Sequence, residues 1–224
     1  MSWAWPAVAL GFALVDWLFI IVDKQKWRAL TKPFVILALL AGFSLADGWL
    51  GRTHWFGLGL LFCLLGDILM LMPPRFFIPA VAAFLTGFGF YSFGFIPGTS
   101  VSRGSLAYTI TGAVLIAVID YFGFGQLQRG LLKRPGQRWF RIPLFIYQMG
   151  ISLMVISALY SLQDPNVSPL AGWLFLPGAI LLFVSDGLLA YNRFVRPIPR
   201  GRLIATIPYH LGQIALITGV MLRG

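Results

Sequence analysis

The chain contains no glutamate; its seven acids are all aspartates. It has one cysteine and two histidines, and only 11% of its residues are charged. Each scarcity removes a class of chemistry. Cys63 alone forms no intramolecular disulfide and no CxxC motif. It lies in an apolar run and reads as a small buried hydrophobe. His54 and His210 cannot build a three-histidine zinc site, and His54 falls in an outer loop, so no metal is expected. No serine-hydrolase elbow, phosphate-binding loop or dinucleotide fingerprint is present. No organic cofactor is indicated either.

The shortage of charge also sets the class. A soluble domain averages about 25% charged residues, whereas this chain is 58% hydrophobic with a mean hydropathy of +0.83. Its long apolar runs are continuous rather than alternating, which points to membrane-spanning helices and away from a barrel. The expected fold is an all-α integral membrane bundle of eight helices, at about 5–23, 33–50, 55–72, 76–97, 105–124, 141–161, 170–191 and 203–222. The end of the second span is interrupted by Asp47 and Gly48. Eight spans of about 20 residues occupy the whole length, so residues 1–224 are expected to form one membrane domain. The first Lys or Arg is Lys24, so the first run reads as a permanent span and not a cleaved leader.

The net charge of +10 is better explained by topology than by nucleic acid. Segment 24–32 carries Lys24, Lys26, Arg28 and Lys32. Arg75 follows, then Arg129, Lys133, Arg134, Arg138 and Arg141, then Arg193, Arg196, Arg200 and Arg202. That makes fourteen cations on one side, against Arg52, Arg103 and Arg223 on the other. The positive-inside rule puts the fourteen in the cytoplasm and, with eight spans, both termini outside. A bacterial inner membrane is the expected location. Trp3, Trp5, Trp27, Trp49, Trp55 and Trp139 fall near span ends, where interfacial tryptophans belong. Gly87-Phe88-Gly89 reads as close helix packing.

A faint repeat is visible. Gly66-Asp67-Ile68-Leu69-Met70 resembles Ser185-Asp186-Gly187-Leu188-Leu189, and Val15-Asp16-Trp17 resembles Ile119-Asp120-Tyr121, each pair four spans apart. A parallel 4+4 duplication explains this, as does chance similarity between apolar segments.

A charged side chain at mid-membrane costs at least about 2.5–3.5 kcal/mol, so Asp16, Asp67, Asp120 and Asp186 each need a reason. Asp67 and Asp186 each lie about 7 Å before the inner end of their spans, at about 1.5 Å per residue. Spans 2, 6 and 8 run the opposite way, so Lys32, Tyr147, Tyr209 and His210 reach the same layer. Tyr209 and Gln213 share a helix face. One buried aspartate is well explained as structural, paired to Lys32 or to a helix-end carbonyl. Two at matched depth favour function. Asp120 lies near the interface, where solvation suffices. Asp16 sits deeper with no evident partner. Tyr147 and Tyr209 are equally well read as packing residues, His210 as an ordinary hydrogen-bonded histidine, and Asn192 and Arg193 as interfacial.

Lys32-Pro33 opening span 2, Gly66-Asp67 before Leu69-Met70, Ser185-Asp186 before Leu188-Leu189-Ala190, and Tyr209 with Gln213 in the last span together resemble the YhhN family. This family of eight-span membrane proteins includes lysoplasmalogenases. The likeness runs from about residue 30 to 215. One departure stands out: where the family often has His-x-x-Tyr in span 4, this chain reads Phe88-Gly89-Phe90-Tyr91. The resemblance implies hydrolysis of the vinyl ether of lysoplasmalogen to a fatty aldehyde and a glycerophospho-ethanolamine or -choline. It implies Asp67 and Asp186 as the catalytic pair, with Lys32, Tyr147, Tyr209, Gln213 and Asn192 around the lysophospholipid. Asp120, Tyr91, His210 and Ser185 are further candidates. The residues suit that chemistry in their own right. A vinyl ether is hydrolysed by protonation at the carbon β to oxygen, then capture of the oxocarbenium ion by water, which takes one carboxylic acid and one carboxylate. Lys32 and neighbouring arginines suit the phosphate. A transporter or lipid-handling protein that uses the paired aspartates is the alternative.

Overall fold

The computed structural model describes residues 4–96, 103–133 and 135–222; Trp3, Arg134 and Arg223 lie outside them. Eight helices follow in chain order: α1 (Ala4–Ile21), α2 (Gln25–Leu45), α3 (His54–Leu71), α4 (Phe77–Phe95), α5 (Arg103–Leu132), α6 (Arg141–Ser161), α7 (Pro169–Ala190) and α8 (Gly201–Met221). All eight are long and apolar enough to cross a membrane, and no strand occurs among the described residues. The protein is a multi-pass helical membrane protein. Successive helices pair as hairpins, α1 with α2, α3 with α4, α5 with α6 and α7 with α8. Duplicated and unduplicated chains both give this pairing, so it carries no weight for the repeat.

Most spans match the apolar runs, and two differ for a physical reason. α2 begins at Gln25, after a reversal in which Asp23 takes φ +53°. Lys26, Arg28 and Lys32 are therefore helical residues, not loop residues, and Pro33 sits inside the helix. A proline after a basic run looks like a first-turn proline. Here the preceding turns face polar groups of the bundle, so their charge does not mark the membrane boundary. The same helix stops at Leu45, leaving Asp47 and Gly48 in the following turn. α5 continues to Leu132, well past the apolar run, because Leu127 and Leu131 are buried against Phe77, Leu144 and Phe194.

The two ends of the bundle differ. At the end where α3 and α7 begin, Phe56, Phe95 and Phe175 interlock, with ring centroids 5.0 to 6.1 Å apart. All three are fully buried, so an aromatic cluster holds this end of the core. Edge-on and offset ring contacts of this kind add about 0.5–1.5 kcal/mol beyond burial. At the other end α2, α4, α6 and α8 begin, α3, α5 and α7 finish, and the basic segments gather.

Small residues set the helix crossings. A Cβ on Gly178 of α7 would lie 2.9 Å from the Leu216 amide nitrogen and 3.0 Å from the Gly212 carbonyl oxygen of α8. These are backbone atoms that cannot step aside. Gly87 meets the Gly59 carbonyl and Cys63 Sγ at 3.0 Å in the α3–α4 crossing, as close packing requires, whereas Gly89 faces open space. Gly178→Leu is expected to destabilise the protein by about 1–3 kcal/mol through overpacking. Thermal unfolding in detergent checks this, and an unchanged midpoint would show that the crossing tolerates the added side chain.

Candidate active site

A cavity of about 340 Å³ opens at the basic end of the bundle. Its walls come from seven helices, α2 to α8, and from the turn after α7. Lys32, Asp67, Tyr147, Ser185, Asp186, Asn192 and Tyr209 all line it, so seven residues singled out in the sequence converge on one space. The convergence follows from direction. Residues late in α3 and α7 meet residues early in α2, α6 and α8 at one level.

The two aspartates have different surroundings. Asp67 is fully buried on α3. Lys32 Nζ lies 2.6 Å from its Oδ1, and Tyr209 OH donates to its Oδ2 at 2.9 Å. The same ammonium lies 5.4 Å from the centroid of the Tyr209 ring. Asp67 thus has a charge partner and a hydroxyl donor, which is what a buried carboxylate needs. Asp186 of α7 accepts a hydrogen bond from Tyr147 OH on its Oδ2 at 2.5 Å and makes no ion pair among the described residues. Asp67 is therefore a charge-paired carboxylate, and Asp186 a carboxyl group whose hydrogen-bond partner among the described residues is one tyrosine hydroxyl.

The remaining candidates divide. Gln213 and Tyr91 stand behind the cavity, joined by a 2.8 Å bond from Tyr91 OH to Gln213 Oε1 in the buried core. His210 faces α1, where Trp17 Nε1 donates to its Nδ1 at 3.1 Å. Ser185 ties α7 to α8 by donating to the Ala205 carbonyl at 2.8 Å. Asn192 Oδ1 accepts from the Ile198 amide at 2.7 Å, holding the turn at Tyr191–Val195. That turn has π-helical bonding, a form that often accompanies functional sites. Asp120 lies outside the cavity, between α5 and α6. It is 6% exposed and accepts from Gln148 Nε2 at 2.5 Å and Ser152 Oγ at 2.7 Å, so it is bonded by protein rather than solvated. Phe88 is fully buried with its ring 5.9 Å from that of Tyr147, so the departure in α4 bears on the Asp186 side of the cavity.

Three cavity residues were not singled out as site residues by the sequence, beyond the general suitability of arginines near Lys32 for a phosphate. Arg28, Arg193 and Arg202 also line the space. Arg193 lies over the Phe77 ring at 3.8 Å. Arg28 supplies the partner that Asp16 lacked, with Nε 3.7 Å from Asp16 Oδ1, while Thr31 OH donates to the same oxygen at 3.2 Å. The signal was in the spacing. Arg28 and Lys32 are four residues apart, and so are Arg202 and Thr206, which places each pair on one helix face.

The fold and cavity define a polytopic membrane protein with a polar, cation-lined chamber inside its helical bundle, built around two aspartates on separate helices. Residues 27–220 match the YhhN family profile, and the chain belongs to that family. It is 29% identical to lysoplasmalogenase TMEM86B of Mus musculus, over 98% of this chain and 86% of that protein. It is 29% identical to lysoplasmalogenase TMEM86B of Homo sapiens, over 92% of this chain and 80% of the relative. Against the Sus scrofa protein of the same name the identity is 26%, over 91% and 80%. No solved structure matches the chain.

Proposed function

We propose that this protein is a membrane-embedded hydrolase that cleaves the vinyl ether bond of lysoplasmalogen, releasing a fatty aldehyde and glycerophosphoethanolamine or glycerophosphocholine. The observation that carries this reading is the pairing of Asp67 with Lys32 and Tyr209 across one cavity from Asp186 with Tyr147. The relatives named lysoplasmalogenase support the substrate class.

Asp186 is the acid. With Tyr147 on Oδ2 and no ion pair among the described residues, its other oxygen carries a proton towards the substrate. That proton passes to the alkenyl carbon β to oxygen, leaving an oxocarbenium ion and the Asp186 carboxylate, which stabilises the cation. Water attacks the oxocarbenium carbon and yields a proton to Asp67, whose charge Lys32 keeps in place. The hemiacetal then collapses. Asp67 returns its proton to the departing glycerol oxygen, the hemiacetal hydroxyl proton passes to Asp186, and both groups are restored. The basic residues gathered at this end support a chamber at the cytoplasmic leaflet by the positive-inside rule, with the head group entering from that side and the alkyl chain running between helices.

The test is fatty aldehyde release from lysoplasmenyl-ethanolamine by purified protein in detergent micelles. Turnover by the wild-type protein supports the hydrolase. Absence of aldehyde from folded protein, with flux of the lipid in sealed vesicles, would replace the reading with transport. Tyr147→Phe removes the hydroxyl that donates to Asp186. It is expected to lower kcat about tenfold while KM holds, as loss of a hydrogen bond to a charged group does.

A further inference from the structure

Asp16 and Arg28 have no part in the acid–base chemistry just described, yet both are buried where charge is expensive. Asp16 is fully buried on α1, and Arg28 is 8% exposed on α2. Their contact is loose. Arg28 Nε sits 3.7 Å from Asp16 Oδ1 and makes no hydrogen bond, and Nη2 reaches Thr206 Oγ1 at only 3.5 Å. A guanidinium carries five donors, so Asp16 holds this one in place without consuming it. Arg28 lines the cavity. A second arginine, Arg202 of α8, lines the same wall within electrostatic range of Arg28 and makes no ion pair among the described residues. Two arginines brought together over a cavity, with Asp16 behind only one of them, suit an anion.

Register gives the position of that anion. Arg28 precedes Lys32 by four residues, about 6 Å along the helix axis towards the basic end. On α8, Thr206 and Arg202 precede Tyr209 by three and seven residues, about 5 and 11 Å towards the same end, and Arg202 stays within electrostatic range of Arg28. The glycerol of a lysophospholipid separates its sn-1 oxygen from its sn-3 phosphate by roughly one helical turn, about 5 Å. With the vinyl ether at the two aspartates, the phosphate falls at the arginines.

We propose that Arg28 and Arg202 form a phosphate subsite one helical turn outward from Asp67 and Asp186, and that Asp16 is a positioning residue that fixes Arg28 for it. This rests on the lysolipid reading of the cavity. Bidentate guanidinium binding of a phosphate is the natural geometry.

The test compares kcat/KM for lysoplasmenyl-ethanolamine with that for 1-O-alkenylglycerol, which has the same vinyl ether and no phosphate. The wild-type preference for the phosphorylated substrate is expected to fall about tenfold in Arg28→Gln and in Arg202→Gln, through KM. Asp16→Asn is expected to lower the preference in the same direction, and to add nothing when combined with Arg28→Gln. A merely structural Asp16 would reduce both substrates in parallel and would act in the double variant as well. Arg202 is exposed, so its variant keeps the fold and the test stands even where Arg28→Gln does not. A preference that persists in both arginine variants overturns the subsite. Should the wild type cleave neither substrate, the hydrolase reading fails while the subsite is still judged by binding of the uncleavable 1-O-alkyl-glycerophosphoethanolamine. Tenfold weaker binding by Arg202→Gln supports it, and unaltered binding overturns it. Competition by inorganic phosphate identifies a site for phosphate in general, and its failure restricts the site to the lipid head group; either result is consistent with the arginines as the ligands.

Discussion

Asp186→Asn is expected to reduce aldehyde release by about a thousandfold, within the range general acid catalysis contributes, with the protein folded and KM for lysoplasmenyl-ethanolamine little changed. Asparagine keeps the shape and the oxygen that Tyr147 bonds, but it has no proton to give to carbon. The argument rests on the contrast between the two aspartates. Asp67 has an ammonium at 2.6 Å and a tyrosine hydroxyl at 2.9 Å, whereas Asp186 has the Tyr147 hydroxyl and no ion pair among the described residues. Asp67→Asn is expected to abolish turnover as well, by removing the group that takes the proton of water. Trapping separates the two roles. Asp67→Asn still protonates the alkene, so incubation in deuterated water places deuterium at the alkenyl β-carbon of recovered substrate if protonation is reversible. Asp186→Asn places none. Incorporation by Asp186→Asn together with its absence in Asp67→Asn would reverse the assignment.

Lys32→Met is expected to have the second-largest effect, and on two quantities at once. Breaking a buried ion pair by removing one partner leaves an uncompensated charge and destabilises by about 3–5 kcal/mol. Asp67 is fully buried, and the side chain of Lys32 is 11% exposed. With Lys32 gone, Asp67 loses its ion pair and keeps the Tyr209 hydroxyl, so turnover falls with stability. The double variant Lys32→Met with Asp67→Asn is expected to recover most of the unfolding midpoint and none of the activity. Recovery of the midpoint without turnover marks the ion pair as a catalytic arrangement that the fold does not need. A double variant as unstable as Lys32→Met would instead show that Lys32 acts through contacts other than Asp67.

The fold was largely legible in the chain because hydrophobic run length and loop charge are one-dimensional. α6 was legible to the residue, Arg141–Ser161, because Arg141 and Ser161 sit at real changes of polarity. α2 was not. Its first two turns carry Lys26, Arg28 and Lys32, and sequence alone does not separate a charged loop from a charged helix face turned towards a cavity. Asp16 looked unpartnered for the same reason: its partner, Arg28, was counted as a loop cation. Asp120 was read by depth as solvated, although Gln148 and Ser152 of the neighbouring helix bond both its oxygens.

The amino-acid sequence by itself determined the eight spans, their alternating course and the shared level at which Asp67 and Asp186 lie. Each follows from the cost of placing charge and backbone in hydrocarbon, and that cost depends on position along one helix. Only the tertiary structure decided which aspartate has the ammonium, that Tyr147 bonds Asp186 across 39 residues and Tyr209 bonds Asp67 across 142, and that arginines from α2 and α8 share one wall. Those choices depend on how each helix is rotated about its axis. The rotation is set by contacts such as Gly178 against Gly212 and Leu216, where two backbones meet and no local pattern foretells the angle.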